Sequence, residues 1–395
     1  MIELANQSQS AATPPTGRTV YFDHAATTPL DPRVLEAMLP YLADNFGNPS
    51  SMYRLARDAR RALDDARDAV ASVLGARSAE IIFTASGSES DNAALKGVAL
   101  AHRSGGHIIT TQIEHHAVLH AVEFLGQLGY EVTHLPVDSR GLVDPDVVGR
   151  AIRADTILVS VMYANNEVGT IEPVEVIGRL TRARKIPFHV DAVQAAGAVD
   201  LDVNRLNVDL LTLSGHKFYG PKGTGVLYVR RGTVCWPLIH GGGQERGRRA
   251  GTENVAGIVG LAAAVQAAVG EAPSRSRHVQ ALRDVLISGV LRTVPGSHLT
   301  GHPTSRLPGH ASFVFDDVSG ESLLLALDQR GYMVSTGSAC TSGSLEPSHV
   351  LLALGLDPRR AEGSLRITLG HHNTEEEVRS FLEQLPPLVE RLRQR

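Results

Sequence analysis

Apolar residues recur every three or four positions between Leu55 and Leu74. Leu55, Ala59, Ala62, Leu63, Ala66, Val70, Val73 and Leu74 line one face of a helix, and Gly75 supplies its stop. A shorter helix is expected over 31–47, with Asp31 as cap and Pro32 in the first turn. Further on, short apolar runs take over. Ile81–Thr84, His107–Thr111, Glu131–Leu135, Thr156–Tyr163, Ile186–Val190, Leu210–Leu213 and Val226–Val229 read as strands, with helical patterns between most of them. Strands alternating with helices predict an α/β fold, a mostly parallel seven-stranded sheet with helices on both faces.

After about residue 270 the pattern changes. A helix over Val279–Val290 precedes a strand at Ser312–Phe315 and a helix at Glu321–Arg330. A Gly/Ser-rich stretch follows from Ser335 to Ser344. The last helix opens at Thr374 with Glu377 three residues on, a capping box, and Pro386-Pro387 is expected to interrupt it. The expected organisation is a disordered polar tail over 1–18 and an N-terminal segment, 19–30, that joins the smaller domain. A large domain over 31–270 and a smaller α+β domain over 271–395 complete it, the latter with a loop at 335–349.

Composition narrows the function classes. Of 395 residues 43% are hydrophobic and 20% charged, and the net charge is -4. That is an ordinary globular balance with no basic footprint for direct nucleic-acid binding. No apolar run is long enough to span a membrane. The first 18 residues lack the basic start and apolar core of a secretory signal. Two cysteines argue against a disulfide scaffold and suit a reducing, cytoplasmic setting.

The chemistry-bearing residues follow the strands. In sheets of this kind ligands bind beyond the carboxyl ends of the strands. After Ile81–Thr84 comes ASGSESDN, where Gly87 and Ser88 open a helix whose free N–H groups suit an anion; simple capping would explain Ser88 equally well. His115 follows the second strand, Asn166 the fourth, Asp191 and Gln194 the fifth. Ser214, His216 and Lys217 follow the sixth, inside SGHKFYGPKG. Singly, His115 reads as a surface histidine, Asp191 as a cap and Lys217 as a solvated loop lysine. Together they present an anion cradle, a flat ring, amides, a carboxylate and an amine on one sheet edge. Pyridoxal 5′-phosphate needs that set: an amine for its aldehyde, an acid for its ring nitrogen and donors for its phosphate. His115, His116, His120 and the His371-His372 pair come without a Glu-x-x-His or Cys-x-x-Cys pattern, so no metal site is expected.

From Tyr21 to about Glu377 the chain resembles the cysteine desulfurases, the iron–sulfur-cluster group within the class-V aminotransferase branch of fold-type I pyridoxal-phosphate enzymes. YFDHAATTPLDPRV, ESDNAALKG, ANNEVGTIEP, HVDAVQ, SGHKFYGPKGTG, HGGGQERGRRAGTEN and STGSACTSGSLEPSHV carry the resemblance. It implies that Lys217 binds the cofactor aldehyde, Asp191 partners the ring nitrogen, and His115 stacks on the ring and handles protons. Gln194 and Asn166 would meet the phenolic oxygen, and Gly87, Ser88, Ser214 and His216 the phosphate. Thr252 would reach the phosphate of a partner subunit, implying a homodimer. Arg366 in SLRITLG would hold the substrate carboxylate, with Asn166 beside it. Cys340, in a Gly/Ser-rich loop, would take sulfur from L-cysteine and pass it to an acceptor protein, an iron–sulfur scaffold or a thiolation relay for tRNA. Cys235, beside Trp236 and Pro237, suits a buried structural thiol. Ser88 stands where that family often has threonine; the hydroxyl is kept. Two other readings remain at this point. An aminotransferase or selenocysteine lyase would share the cofactor residues without needing Cys340, and a sulfur carrier would need none of them.

Overall fold

The structure, a computed structural model, describes residues 19–102, 104–337 and 347–394. The polar tail over 1–18 lies outside the described residues, as does Cys340.

The described residues form twelve strands: β1 Val20–Tyr21, β2 Ile81–Thr84, β3 His107–Thr111, β4 Glu131–Leu135, β5 Thr156–Ser160, β6 Phe188–Asp191, β7 Leu210–Ser214, β8 Gly225–Val229, β9 Ser297–Leu299, β10 His310–Phe315, β11 Tyr332–Met333 and β12 Ser364–Thr368. Seven of them form one sheet in the order β2-β8-β7-β6-β5-β3-β4. Only β8 runs against the others, so the expected mostly parallel sheet is observed. Strands β3, β5 and β7 are buried along their whole length, because helices cover both faces.

Alternation along each strand decides which helix it meets. Ile81, Phe83, Leu211 and Leu213 point into a core shared with helices Arg54–Leu74 and Val255–Gly270. Ile82, Leu210 and Leu227 point the other way, toward helices Gly87–Ala101 and His116–Gln127. β6 begins at Phe188 rather than Ile186, since Pro187 has no N–H to give to a ladder. The first helix, Pro32–Leu42, stops five residues before the expected end, because Asp44, Asn45 and Asn48 favour turns. Gly47 there sits so close to the Leu55 backbone that a Cβ would lie 2.5 Å from it.

The outer edge of β2 is closed by side chains. Arg67 donates to Ile81 O at 2.8 Å, and Glu245 accepts from Phe83 N at 3.0 Å. The two side chains then pair with each other through two bonds of 2.7 Å while almost fully buried. Glu245→Ala should cost about 3–5 kcal/mol in urea unfolding, since it strands a buried guanidinium. A loss below ~1 kcal/mol would mean that water already reaches this edge.

A second core surrounds the antiparallel sheet β12-β10-β9 and the short parallel pair β1-β11. Helices Ala272–Thr293, Gly320–Asp328 and Glu375–Arg393 pack on it. Val20 and Phe22 of the N-terminal segment belong to this core, with Phe22 edge-on to Phe381 at 5.8 Å. The chain crosses between the cores at Glu271, where helices Val255–Gly270 and Ala272–Thr293 meet at 69°. The expected interruption at Pro386-Pro387 is not observed: helix Glu375–Arg393 runs through both prolines. Val378, Phe381, Leu385, Leu388 and Val389 keep one buried stripe on either side of them, and that packing outweighs the lost hydrogen bonds. The Thr374–Glu377 capping box forms as expected. Among the described residues no single helix is long and apolar enough to cross a membrane.

Candidate active site

The carboxyl ends of β2, β3, β5, β6 and β7 border a cleft of about 290 Å³. Gly87, Ser88, His115, Asn166, Asp191, Gln194, Ser214, His216, Lys217 and Arg366 all line it. A larger hollow of about 370 Å³ lies beside Cys235 and Trp236, but it holds none of these groups. Thr252 is elsewhere: it is exposed, on a separate hollow bordered by Thr84, Gly223 and Glu253. Cys340 lies outside the described residues, so its position relative to the cleft is not part of this geometry.

Each side chain is placed by the element it ends. Ser86 caps helix Gly87–Ala101 by accepting from Glu89 N at 3.1 Å, which aims the first N–H groups at the cleft. A Cβ on Gly87 would lie 2.8 Å from Val193 and 3.2 Å from Ser214, so only glycine keeps this floor open. Asp191 ends β6, and its Oδ1 accepts from Val193 N at 2.9 Å. Burial pushes its carboxyl up to about 6, against the pull of that N–H and of Lys217. A cationic ring nitrogen opposite it is therefore a favourable partner.

Lys217 leaves β7 on a single turn, Gly215–Lys217. Its Nζ donates to Ala25 O at 2.6 Å and Ala26 O at 2.8 Å. Gln194 Nε2 also donates to Ala25 O, at 3.0 Å, and His216 Nδ1 meets Thr27 Oγ1 at 3.0 Å. The N-terminal segment, anchored in the second core, thus closes one wall of a cleft built by the first.

His115 caps helix His116–Gln127, its Nδ1 accepting from Ala117 N at 3.1 Å. Burial and then the Lys217 charge hold its imidazole down to about 4. It is neutral at physiological pH and able to accept a proton. If it serves as a base, kcat/KM should show an acid limb near pH 4, not near the ordinary imidazole value of about 6.5. A limb at the ordinary value would remove His115 from that role.

Arg366, on β12, is 2% exposed. Its guanidinium donates to Asn166 O at 3.0 Å and to Asp23 Oδ1 at 2.9 Å, while Nε has no partner among the described residues. Asp23 had no role in the sequence reading, although it lies inside YFDHAATTPLDPRV. Asp91 was missed as well. It lines the cleft, its Oδ1 makes no hydrogen bond among the described residues although His189 Nε2 lies 3.5 Å away, and burial beside Asp191 raises its pKa well above the ordinary range. The signal was present in helix periodicity: Asp91 is four residues past Gly87, on the same face. Among the described residues no group of three or more His, Cys, Asp or Glu is placed to hold a metal ion.

An amine, a buried acid, a neutral ring and a helix N-terminus around one cleft are the marks of a pyridoxal-phosphate enzyme. Residues 20–381 match the Aminotransferase class-V family. Cysteine desulfurase IscS of Methanosarcina thermophila is 54% identical over 377 residues, covering 95% of this chain and 93% of that protein. Cysteine desulfurase IscS of Dictyoglomus turgidum is 51% identical, covering 95% and 96%. Among solved structures, a NifS-like protein superposes with a TM-score of 0.89 at 42% identity, over 95% of this chain and 100% of that one. SspA in complex with cysteine superposes with a TM-score of 0.79 at 38% identity, over 90% and 100%. The chain belongs to the class-V aminotransferase family and, within it, to the cysteine desulfurases. Pyridoxal 5′-phosphate is the cofactor of this family, and the cleft's donor set fits it.

Proposed function

We propose that this enzyme converts L-cysteine to L-alanine and takes the sulfur onto Cys340 as a persulfide. The observation that carries the reading is the convergence of Lys217, Asp191, His115, the Gly87 helix start and Arg366 on one cleft. Lys217 would hold the cofactor's aldehyde carbon, Asp191 its ring nitrogen, and His115 would stack on its ring. Gln194 and Asn166 would meet its phenolic oxygen; Gly87, Ser88, Ser214 and His216 would hold its phosphate. When bound, the cofactor supplies an aldehyde for the substrate amine and a ring that accepts the electron pair released at Cα.

The chain's own groups do the rest. Arg366 holds the substrate carboxylate, with Asp23 fixing the guanidinium. Lys217 Nζ removes the Cα proton. A free thiol, with a pKa of roughly 8.5, is mostly protonated at neutral pH, so a proton acceptor must help the Cys340 thiol, and His115 is the candidate in the cleft once the bound cofactor and substrate raise its basicity. The thiolate attacks the substrate sulfur. The S–S bond forms, the S–Cβ bond breaks with its electron pair left on carbon, a proton is delivered to Cβ, and Lys217 Nζ returns a proton to Cα to complete alanine. No outside oxidant is needed. Gly337, three residues before Cys340, is packed against Glu167 beside the cleft, which supports this assignment.

The same reading makes the enzyme a homodimer, with exposed Thr252 of one copy reaching the phosphate of the other. It divides the chain into a large cofactor domain over 31–270 and a smaller domain over 271–395 that the 19–30 segment joins. It also places the enzyme in the cytoplasm, handing persulfide sulfur to an iron–sulfur scaffold or a thiolation relay. The test is a product assay with L-cysteine under a thiol reductant. Alanine and sulfide in equal amounts are expected. Pyruvate and ammonia, or amino transfer to a keto acid, would overturn the reading.

A further inference from the structure

One buried carboxyl joins the two described ends that flank residues 338–346. Glu167 follows Asn166 directly and is 5% exposed. It accepts a hydrogen bond from the Ser348 hydroxyl. Gly337 lies against the same oxygen: a Cβ there would lie 3.0 Å from Glu167 Oε2 and 3.2 Å from Ser348 Cβ. A side chain there would make the carboxyl or the stem give by a few tenths of an ångström, so glycine permits the close approach. Glu167 is itself held: its N–H donates to Asn165 Oδ1 at 2.8 Å, and its carbonyl accepts from His310 Nε2 at 3.2 Å.

The stems are tied to the substrate side as well. Ser335 and Arg366 exchange backbone hydrogen bonds of 3.1 and 2.7 Å, and Gly337 N donates to Ser364 Oγ at 3.3 Å. Ser348 Oγ also caps helix His349–Ala353 by accepting from Leu351 N at 3.2 Å. Arg366 in turn donates to the carbonyl of Asn166, the residue before Glu167. The arm proposed for the substrate carboxylate and both stems of the Cys340 segment thus share one framework, with Glu167 at its crossing. A carboxyl is a costly group to bury where an apolar side chain of the same size would pack.

We propose that Glu167 is a positioning residue for sulfur transfer, holding Ser348 and the Gly337 stem together beside Arg366, the arm proposed for the substrate carboxylate. This rests on the reading of Cys340 as the sulfur acceptor. A misplacement of about 1 Å between reacting atoms costs on the order of 10²-fold in rate.

The test compares holoenzyme carrying Glu167→Ala, Glu167→Gln or Ser348→Ala with wild type. Cofactor absorption and its half-saturation by L-cysteine report the cleft. Single-turnover persulfide at Cys340, read by peptide mass, and alkylation of Cys340 by iodoacetamide report the segment. Glu167→Ala and Ser348→Ala should keep the cofactor band and the half-saturation, alkylate Cys340 faster, and form persulfide about 10–100-fold more slowly. Glu167→Gln, which still accepts from Ser348, should recover most of the rate. Ser348→Ala removes the bond without touching the neighbour of Asn166, so it keeps the test open if Glu167→Ala does not fold. Wild-type persulfide rates in both alanine variants would overturn the proposal. So would a cofactor band or half-saturation that falls in step with the rate. If wild type forms no persulfide at Cys340, the underlying functional reading fails and the proposal with it.

Discussion

Lys217→Ala is expected to abolish alanine formation and to remove the absorption band of the bound cofactor, while the fold survives. Lys217 is the amine at the end of β7, held between the carbonyls of Ala25 and Ala26. On the proposed roles, alanine there leaves no nucleophile for the aldehyde and no base for the Cα proton. The general-base contribution alone is worth about 10²–10⁴-fold. The side chain is only half-buried, so water can satisfy the two carbonyls it leaves, and the urea midpoint should move little. Lys217→Arg is the informative companion, because it restores the charge without a nucleophilic amine. It should refold the local hydrogen bonds yet stay inactive. A retained band, or alanine formed by either variant at near wild-type rate, would move the cofactor attachment to another residue.

Cys340→Ser should separate cofactor chemistry from sulfur transfer. Every cofactor-facing group in the cleft is untouched by this change, so the absorption band and its response to L-cysteine should be those of wild type. Serine is a far weaker nucleophile toward sulfur and forms no persulfide. Alanine formation should fall by more than about 10³-fold, the scale on which loss of a covalent nucleophile is felt. Equal alanine from both proteins would show that sulfur leaves by elimination, without capture by this thiol. Cys235 offers no substitute: burial pushes its thiol up to about 11, and it is bonded to Ala93 O beside the larger hollow.

Much of this protein was legible in one dimension. Short apolar runs placed all seven strands of the large sheet to within three residues at their ends, because most of these strands are buried on both faces and local sequence records that demand. The candidate residues were legible for a related reason. In a parallel sheet the strand ends share one edge, so Ser88, His115, Asn166, Asp191 and Lys217 had to meet once the strands were known. Tertiary packing decided what no local pattern encodes. Helix Glu375–Arg393 continues through Pro386 and Pro387 because its buried stripe has a second core to rest on. The partner of Arg366 is Asp23, 343 positions away, and the edge of β2 is closed by Glu245, 162 positions from Phe83. Glu167 owes its neighbours Gly337 and Ser348 to chain segments far along the sequence. Residue type and spacing determined which elements form and which edge carries the chemistry, since those depend on near neighbours. Which charges pair, which acids are buried and how the N-terminal segment walls the cleft depended on the two cores docking, since those energies arise only between groups that folding brings together.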